Sequence, residues 1–202
     1  MGPSRIAGAL VAAAALLVSI WLLEGFDFVT GNALDGYGIT PRRTDELPDV
    51  FFAPFLHAGF AHVMANSIPL AVLGFLTALR GGVGRLAVVT LVIILIGGFG
   101  VWLTAPPNTI TLGASILVFG YFGYLVARGF IDHRPGDIVV AVVVGLLYGT
   151  TALFGVLPSG SGVSWQGHLF GLVGGVLAAW LLRRGGAGSW PAARGDEYGG
   201  RL

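Results

Sequence analysis

The sequence predicts an all-α membrane protein, a bundle of six transmembrane helices with both termini in the cytoplasm. Three observations carry this expectation. Of 202 residues, 55% are hydrophobic and only 10% are charged, with a mean hydropathy of +0.84; a soluble domain carries roughly 25% charged residues. Six apolar runs approach the ~20 residues that a helix needs to cross a bilayer. The eleven basic residues, all of them arginine, fall mostly on one side of those runs.

The first run, Ile6–Leu23, follows Arg5 as a signal peptide would. It is long for one, and no small-x-small cleavage site follows Leu23, so it reads as a retained helix. The opening Met-Gly-Pro-Ser-Arg-Ile lacks the Ser or Thr that a myristoylation site needs at position six. Next, Gly25–Phe55, rich in Gly, Pro and Asp, forms a long first external loop, of the kind that is usually functional or disordered. The remaining spans are Phe60–Leu79, Leu86–Leu103, Leu112–Ala127, Ile138–Leu157 and Trp165–Leu182, and none contains Asp, Glu or Arg. The fourth is short, and its start could reach back into Asn108–Thr111. The chain thus divides into a helical domain, 1–184, and a Gly/Arg-rich cytoplasmic tail, 185–202, expected to be flexible.

Arginine sets the orientation. With the amino terminus inside, Arg5, Arg80, Arg85, Arg128, Arg134, Arg183, Arg184, Arg194 and Arg201 are cytoplasmic. Only Arg42 and Arg43 lie outside, accompanied by six of the ten acids, five in the first loop and Glu24 just before it. That is the positive-inside pattern of a multi-pass cell-membrane protein. Composition also removes chemistry: with no cysteine and no lysine, disulfides, thiolate nucleophiles and Schiff bases are excluded.

Helices two, four and six all start outside, so their first turns share a depth. Into that layer helix two brings His62 and Asn66, four residues apart and on one face. Helix four brings Ser115 and helix six His168. Polar groups are costly in hydrocarbon, which makes their convergence a site hypothesis. A serine needs a neighbouring base to become nucleophilic, and His168 is placed to be one. No carboxylate lies on these three spans, so the unit is a dyad, not an acid-assisted triad. The Ser115 backbone N–H, the Asn66 amide and a His62 N–H are candidate oxyanion donors, and because these helices start outside, the site is expected to open to the extracytoplasmic side. Each residue alone also fits a structural role, as interhelical packing or as a satisfied hydrogen-bonder. His57, at the interface, could simply stiffen the first loop. Gly171 and Gly175 form a Gly-x-x-x-Gly pair with His168 on the same face, which would let helix six press against helix four.

The stretches HAGFAHVMAN (57–66), GAS (113–115) and GHLFGLVGG (167–175) together resemble the rhomboid intramembrane serine proteases, over Ile6 to Leu182. The resemblance implies a six-helix fold of rhomboid type, with Ser115 as nucleophile and His168 as general base. It makes His62 and Asn66 the oxyanion-stabilising pair and Gly113 the first glycine of the family's Gly-x-Ser-Gly motif. His57 matches a histidine that commonly precedes the pair. Substrates would be transmembrane segments of other proteins, cleaved near the external face after a small residue, with helix five gating lateral entry. Two positions depart from the pattern. Ile116 replaces the glycine after the serine, and Pro48 and Asp49 stand where many members carry Trp-Arg.

The alternative is a catalytically inactive rhomboid-like protein that binds transmembrane segments without cutting them. A zinc enzyme using His57, His62 and His168 would lack a Glu base and leave Ser115 without a role. A channel would need polar residues along a whole pore. No cofactor, metal or nucleic acid is expected; the partners are membrane lipids and transmembrane protein substrates.

Overall fold

The computed structural model describes residues 2–158 and 163–183. Six α-helices run through the described residues: α1 (Pro3–Val29), α2 (Phe60–Gly81), α3 (Val83–Thr104), α4 (Ser115–Asp132), α5 (Pro135–Gly155) and α6 (Trp165–Leu181). Three short 3₁₀ turns, Asp35–Tyr37, Leu47–Phe51 and Ala53–Phe55, punctuate the connection from α1 to α2. The expected tail, 185–202, lies outside the described residues.

Local chemistry sets the boundaries. Pro3 and Pro135 open α1 and α5 at positions whose missing N–H costs nothing. Gly82 alone separates α2 from α3, and its φ of +89° explains the glycine. His133 in the left-handed region ends α4, and the extended Arg134 before Pro135 blocks continuation. Such short links force antiparallel neighbours, so α2, α4 and α6 start at the end of the bundle that carries the long first loop. That end is called the loop end below, and its opposite the far end.

The helices are long and apolar enough to cross a membrane in five cases, α1 to α5. The sixth, with 17 residues, is at the short end of what spans a bilayer. Large apolar side chains such as Leu146, Leu147 and Phe154 point outward, as lipid-facing positions require. This is a multi-pass membrane protein.

Among the spanning helices α4 is the most enclosed, and α1 and α5 are the least. Its principal partner is α6. Glycine is why the two approach so closely. A Cβ on Gly171 would run into the carbonyl of Ile116, and one on Gly175 into that of Gly120. From the other side, a Cβ on Gly123 would sit 2.6 Å from the Leu172 carbonyl oxygen. The expected small-residue seam is therefore present and extends to both helices.

Several boundaries differ from expectation. Helix α1 continues to Val29 and takes up the start of the predicted 25–55 loop, while α4 begins at Ser115, not at Leu112 or earlier. Helices α4 and α5 also continue at the far end to Asp132 and from Pro135, so these spans do contain charges. There Arg80 Nε meets Asp137 at 2.8 Å, and Arg128 Nε meets Asp132 at 3.2 Å and Asp137 at 3.4 Å. Arg128 also donates to the Tyr124 hydroxyl at 3.0 Å. Pairing offsets the cost of burying these ions. A hydropathy window stops at a charge even where the helix runs on.

The first loop is anchored without a Trp-Arg pair. Arg42 donates its backbone N–H to the Trp102 carbonyl at 3.0 Å and its guanidinium to that of Leu103 at 3.1 Å. Trp102 Nε1 donates back to the Arg43 carbonyl at 3.1 Å. Ile39 and Thr111 exchange two backbone bonds, of 2.7 and 3.0 Å, tying the loop to the segment before α4.

Candidate active site

Ser115 is the first residue of α4, so unsatisfied backbone N–H groups and the positive end of the helix dipole surround it. Two bonds from the first loop hold the turn before it. Gly113 donates to the Ala53 carbonyl at 2.9 Å, and Ala114 donates to Nε2 of His57 at 3.2 Å. His57 is buried and therefore does more than stiffen its own loop: it fixes the residue adjoining Ser115. Burial first, and the nearby His62 second, push its pKa down to about 4. It therefore stays neutral and able to accept.

Gly113 is required twice over. Its φ is +127°, and a Cβ there would lie 2.7 Å from Cε1 and 2.8 Å from Nε2 of His62. The His62 imidazole edge is thus pressed against the backbone two residues from Ser115. The His57 and His62 rings also meet edge to face, with centroids 4.9 Å apart.

His62 and Ser115 line one cavity of about 670 Å³ at the loop end, together with Asp35, Ile116, Ser164 and Gln166. Asp35 belongs to the first loop; its carboxyl is pushed above the usual range by burial and by the charge of Asp27. Ser164 caps α6, its hydroxyl accepting the Gly167 N–H at 3.2 Å, which sets where α6 begins beside the cavity.

His168 is buried in the first turn of α6. Its ring stacks on Phe119 of α4, with centroids 3.9 Å apart and planes 5° apart. Its Nδ1 lies 2.8 Å from the carbonyl oxygen of Gly155. No hydrogen bond joins it to Ser115 among the described residues; catalytic hydrogen bonds are commonly long before substrate arrives. Asn66, one turn from His62, is buried and donates Nδ2 to the His62 carbonyl at 3.1 Å. So Ser115, His62 and Gly113 are brought together directly, whereas His168 and Asn66 are held by their own partners.

Ile116 does not block the seam. Its side chain is buried, and a Cβ on Gly97 of α3 would come within 2.6 Å of its Cγ2, one on Gly167 within 3.2 Å of its Cγ1. Glycines on two neighbouring helices make its room. Sequence reasoning missed Gly97, Phe119 and Gly155. Only Phe119 left a signal, lying one helical turn after the serine.

Among the described residues no group of three or more His, Cys, Asp or Glu is arranged to hold a metal ion. A hydroxyl at a helix start, with imidazoles on two neighbouring helices, is an arrangement that can support acyl transfer.

Comparison with known proteins identifies a family. A family model described as Rhomboid domain matches residues 44–185. An uncharacterised protein of Mycobacterium tuberculosis (strain H37Rv) is 45% identical over 170 residues, covering 81% of this chain and 70% of that protein. The Bacillus subtilis (strain 168) protein named "Putative rhomboid protease YdcA" is 33% identical over 129 residues, 62% of each chain. RHOMBOID-like protein 4 of Arabidopsis thaliana is 28% identical over 152 residues, 68% of this chain and 37% of that one.

Proposed function

The chain belongs to the rhomboid family, and on that premise we propose that it is an intramembrane serine endopeptidase. It hydrolyses peptide bonds in or next to transmembrane segments of other membrane proteins. The observation that carries this reading is the shared cavity of Ser115 and His62, with His168 held in the adjoining turn of α6.

Chemically, Ser115 Oγ attacks the scissile carbonyl carbon while its proton passes to His168 Nε2. The resulting oxyanion is met by the Ser115 backbone N–H and by donors from His62 and Asn66. Collapse breaks the C–N bond, and the proton on Nε2 goes to the departing amine. Water, deprotonated by the same imidazole, then attacks the acyl carbon, and the C–O bond to Ser115 breaks as the imidazolium returns that proton to Oγ. Asn66 must turn its amide from the His62 carbonyl toward the cavity to take part. The arginine distribution supports a loop end on the extracytoplasmic side with both termini in the cytoplasm, and the reading is of a protein of the cell membrane.

The second reading, a rhomboid-like binder that does not cut, draws on the unmade bond between Ser115 and His168. Co-reconstitution in vesicles with a transmembrane substrate separates the two. Cleavage by the natural protein that disappears in Ser115→Ala supports the peptidase, and substrate binding without cleavage supports the binder.

A further inference from the structure

A histidine base is most effective when its tautomer is fixed and when the cation it becomes is stabilised. In acid-assisted triads a carboxylate does both. Helices α2 and α6 hold no Asp or Glu, and the one acid of α4, Asp132, is at the far end. His168 nevertheless has a partner in the Gly155 carbonyl, 2.8 Å from its Nδ1. A carbonyl only accepts, so Nδ1 carries the proton and Nε2 presents a bare lone pair, as a base requires.

Gly155 is the last residue of α5. A helix leaves its last four carbonyls without partners inside the helix. It also gathers roughly half a negative charge at that end, where a histidine cation is favoured. The Gly155 oxygen is one of those four. The opposing constraint comes from α4, whose Phe119 lies flat against the imidazole. A Cβ at position 155 would sit 2.8 Å from Phe119 Cε1, closer still to Cζ, and 3.2 Å from His168 Nδ1. Position 155 therefore has no room for a side chain.

We propose that the carboxyl end of α5 takes the place of the triad carboxylate. The Gly155 carbonyl holds His168 in the Nδ1–H tautomer, and the α5 dipole stabilises the imidazolium formed when Nε2 takes the Ser115 proton. Gly155 is a positioning residue, since it touches the base and not the substrate. The proposal rests on the Ser115–His168 reading. It adds that the readiness of the base depends on where α5 ends. Helix α5 packs mainly on α4 and little on α6, so this bond is its polar tie to the catalytic helix. Displacing the last turn of α5 would free the imidazole to rotate and exchange tautomers.

Nitrogen-15 NMR of the full chain in lipid nanodiscs, labelled at its four histidines, tests this, with a His168→Asn variant assigning the His168 signals. The natural protein is expected to show neutral His168 as the Nδ1–H tautomer with a hydrogen-bonded proton. Gly155→Ala should lose that signature and slow fluorophosphonate capture of Ser115 at least tenfold. Adding Phe119→Leu to Gly155→Ala clears space for the new methyl and should restore the tautomer and part of the capture rate. An Nε2–H tautomer in the natural protein overturns the proposal, whether or not the alanine variant folds. So does a Gly155→Ala protein that loses the Nδ1 bond yet captures within twofold of normal. The Nδ1–H tautomer beside an inert Ser115 would overturn the peptidase reading, and with it the role of the dipole, while leaving the hydrogen bond intact.

Discussion

Ala114 donates its backbone N–H to Nε2 of His57 across 3.2 Å, so the first loop grips the residue that precedes Ser115. The bond needs a neutral imidazole. His57 is held to a pKa of about 4, mainly by burial, against about 6.5 in the unfolded chain. Between those values the unfolded state binds a proton that the folded state refuses. The stabilisation is therefore complete above about pH 6.5 and is lost as pH falls toward 4, up to roughly 3 kcal/mol in all.

Acid is thus expected to release the turn before Ser115. Activity and the exchange protection of the Ala114 amide should fall together only as pH nears 4, where the folded imidazole itself takes a proton, after stability has declined from about pH 6.5 to 4, and both should recover on neutralisation. His57→Asn, which keeps an acceptor that does not titrate, should flatten the stability curve across that range. An unchanged acid response in His57→Asn would assign the effect elsewhere.

The oxyanion pair should show graded loss. Removing one such donor typically costs on the order of 10²–10³ in rate. His62→Ala and Asn66→Ala are each expected to retain measurable turnover, compared with the natural protein at equal folded fraction. Asn66 spends one donor on the His62 carbonyl, so its loss also removes a helix back-bond. Wild-type rates in both variants would make the pair structural.

Ile116→Gly separates packing from chemistry. The side chain fills space between Gly97 and Gly167, so its removal leaves a cavity and a helical glycine and should cost about 3–5 kcal/mol. The rate per folded molecule should change by less than about tenfold, or ~1.4 kcal/mol of barrier. Thermal unfolding in detergent and turnover at matched folded fraction read the two effects separately. A large gain in rate with little loss of stability would mean that isoleucine restrains the site.

At the far end, Asp137→Ala strands Arg80 and Arg128 without their shared acid. Breaking a buried pair from one side typically costs about 3–5 kcal/mol; Asp132 still pairs Arg128, so the cost should lie at or below the low end of that range. The midpoint of denaturation should fall accordingly, while the reactivity of Ser115 in the surviving folded fraction is retained. A midpoint within the error of the natural protein would show that these ions contribute nothing net.

What the sequence made legible follows from where its signals come from. Six apolar runs and alternating direction are enough to bring His62, Asn66, Ser115 and His168 to one layer, because span length and topology decide depth. The Gly171 and Gly175 seam was readable for the same reason, as a periodicity. Contacts made by backbone atoms were not readable: the Ala114 N–H on His57 and the Gly155 carbonyl on His168 have no side-chain signature. Nor was the room for Ile116, since Gly97 lies on a helix that contributes nothing polar to the site. The Arg80, Arg128, Asp132 and Asp137 cluster was hidden because charges at span ends read as loop residues until the helices are seen to continue through them.

The central claim is that Ser115 is an activated nucleophile, and covalent capture tests it most directly. The natural protein in lipid is treated with a fluorophosphonate and its peptides are weighed by mass spectrometry. One adduct is expected, on Ser115, absent from Ser115→Ala and strongly reduced in His168→Ala, with the double variant no worse than either because the pair acts as a unit. A folded, membrane-embedded natural protein that takes up no adduct at Ser115 would contradict the account.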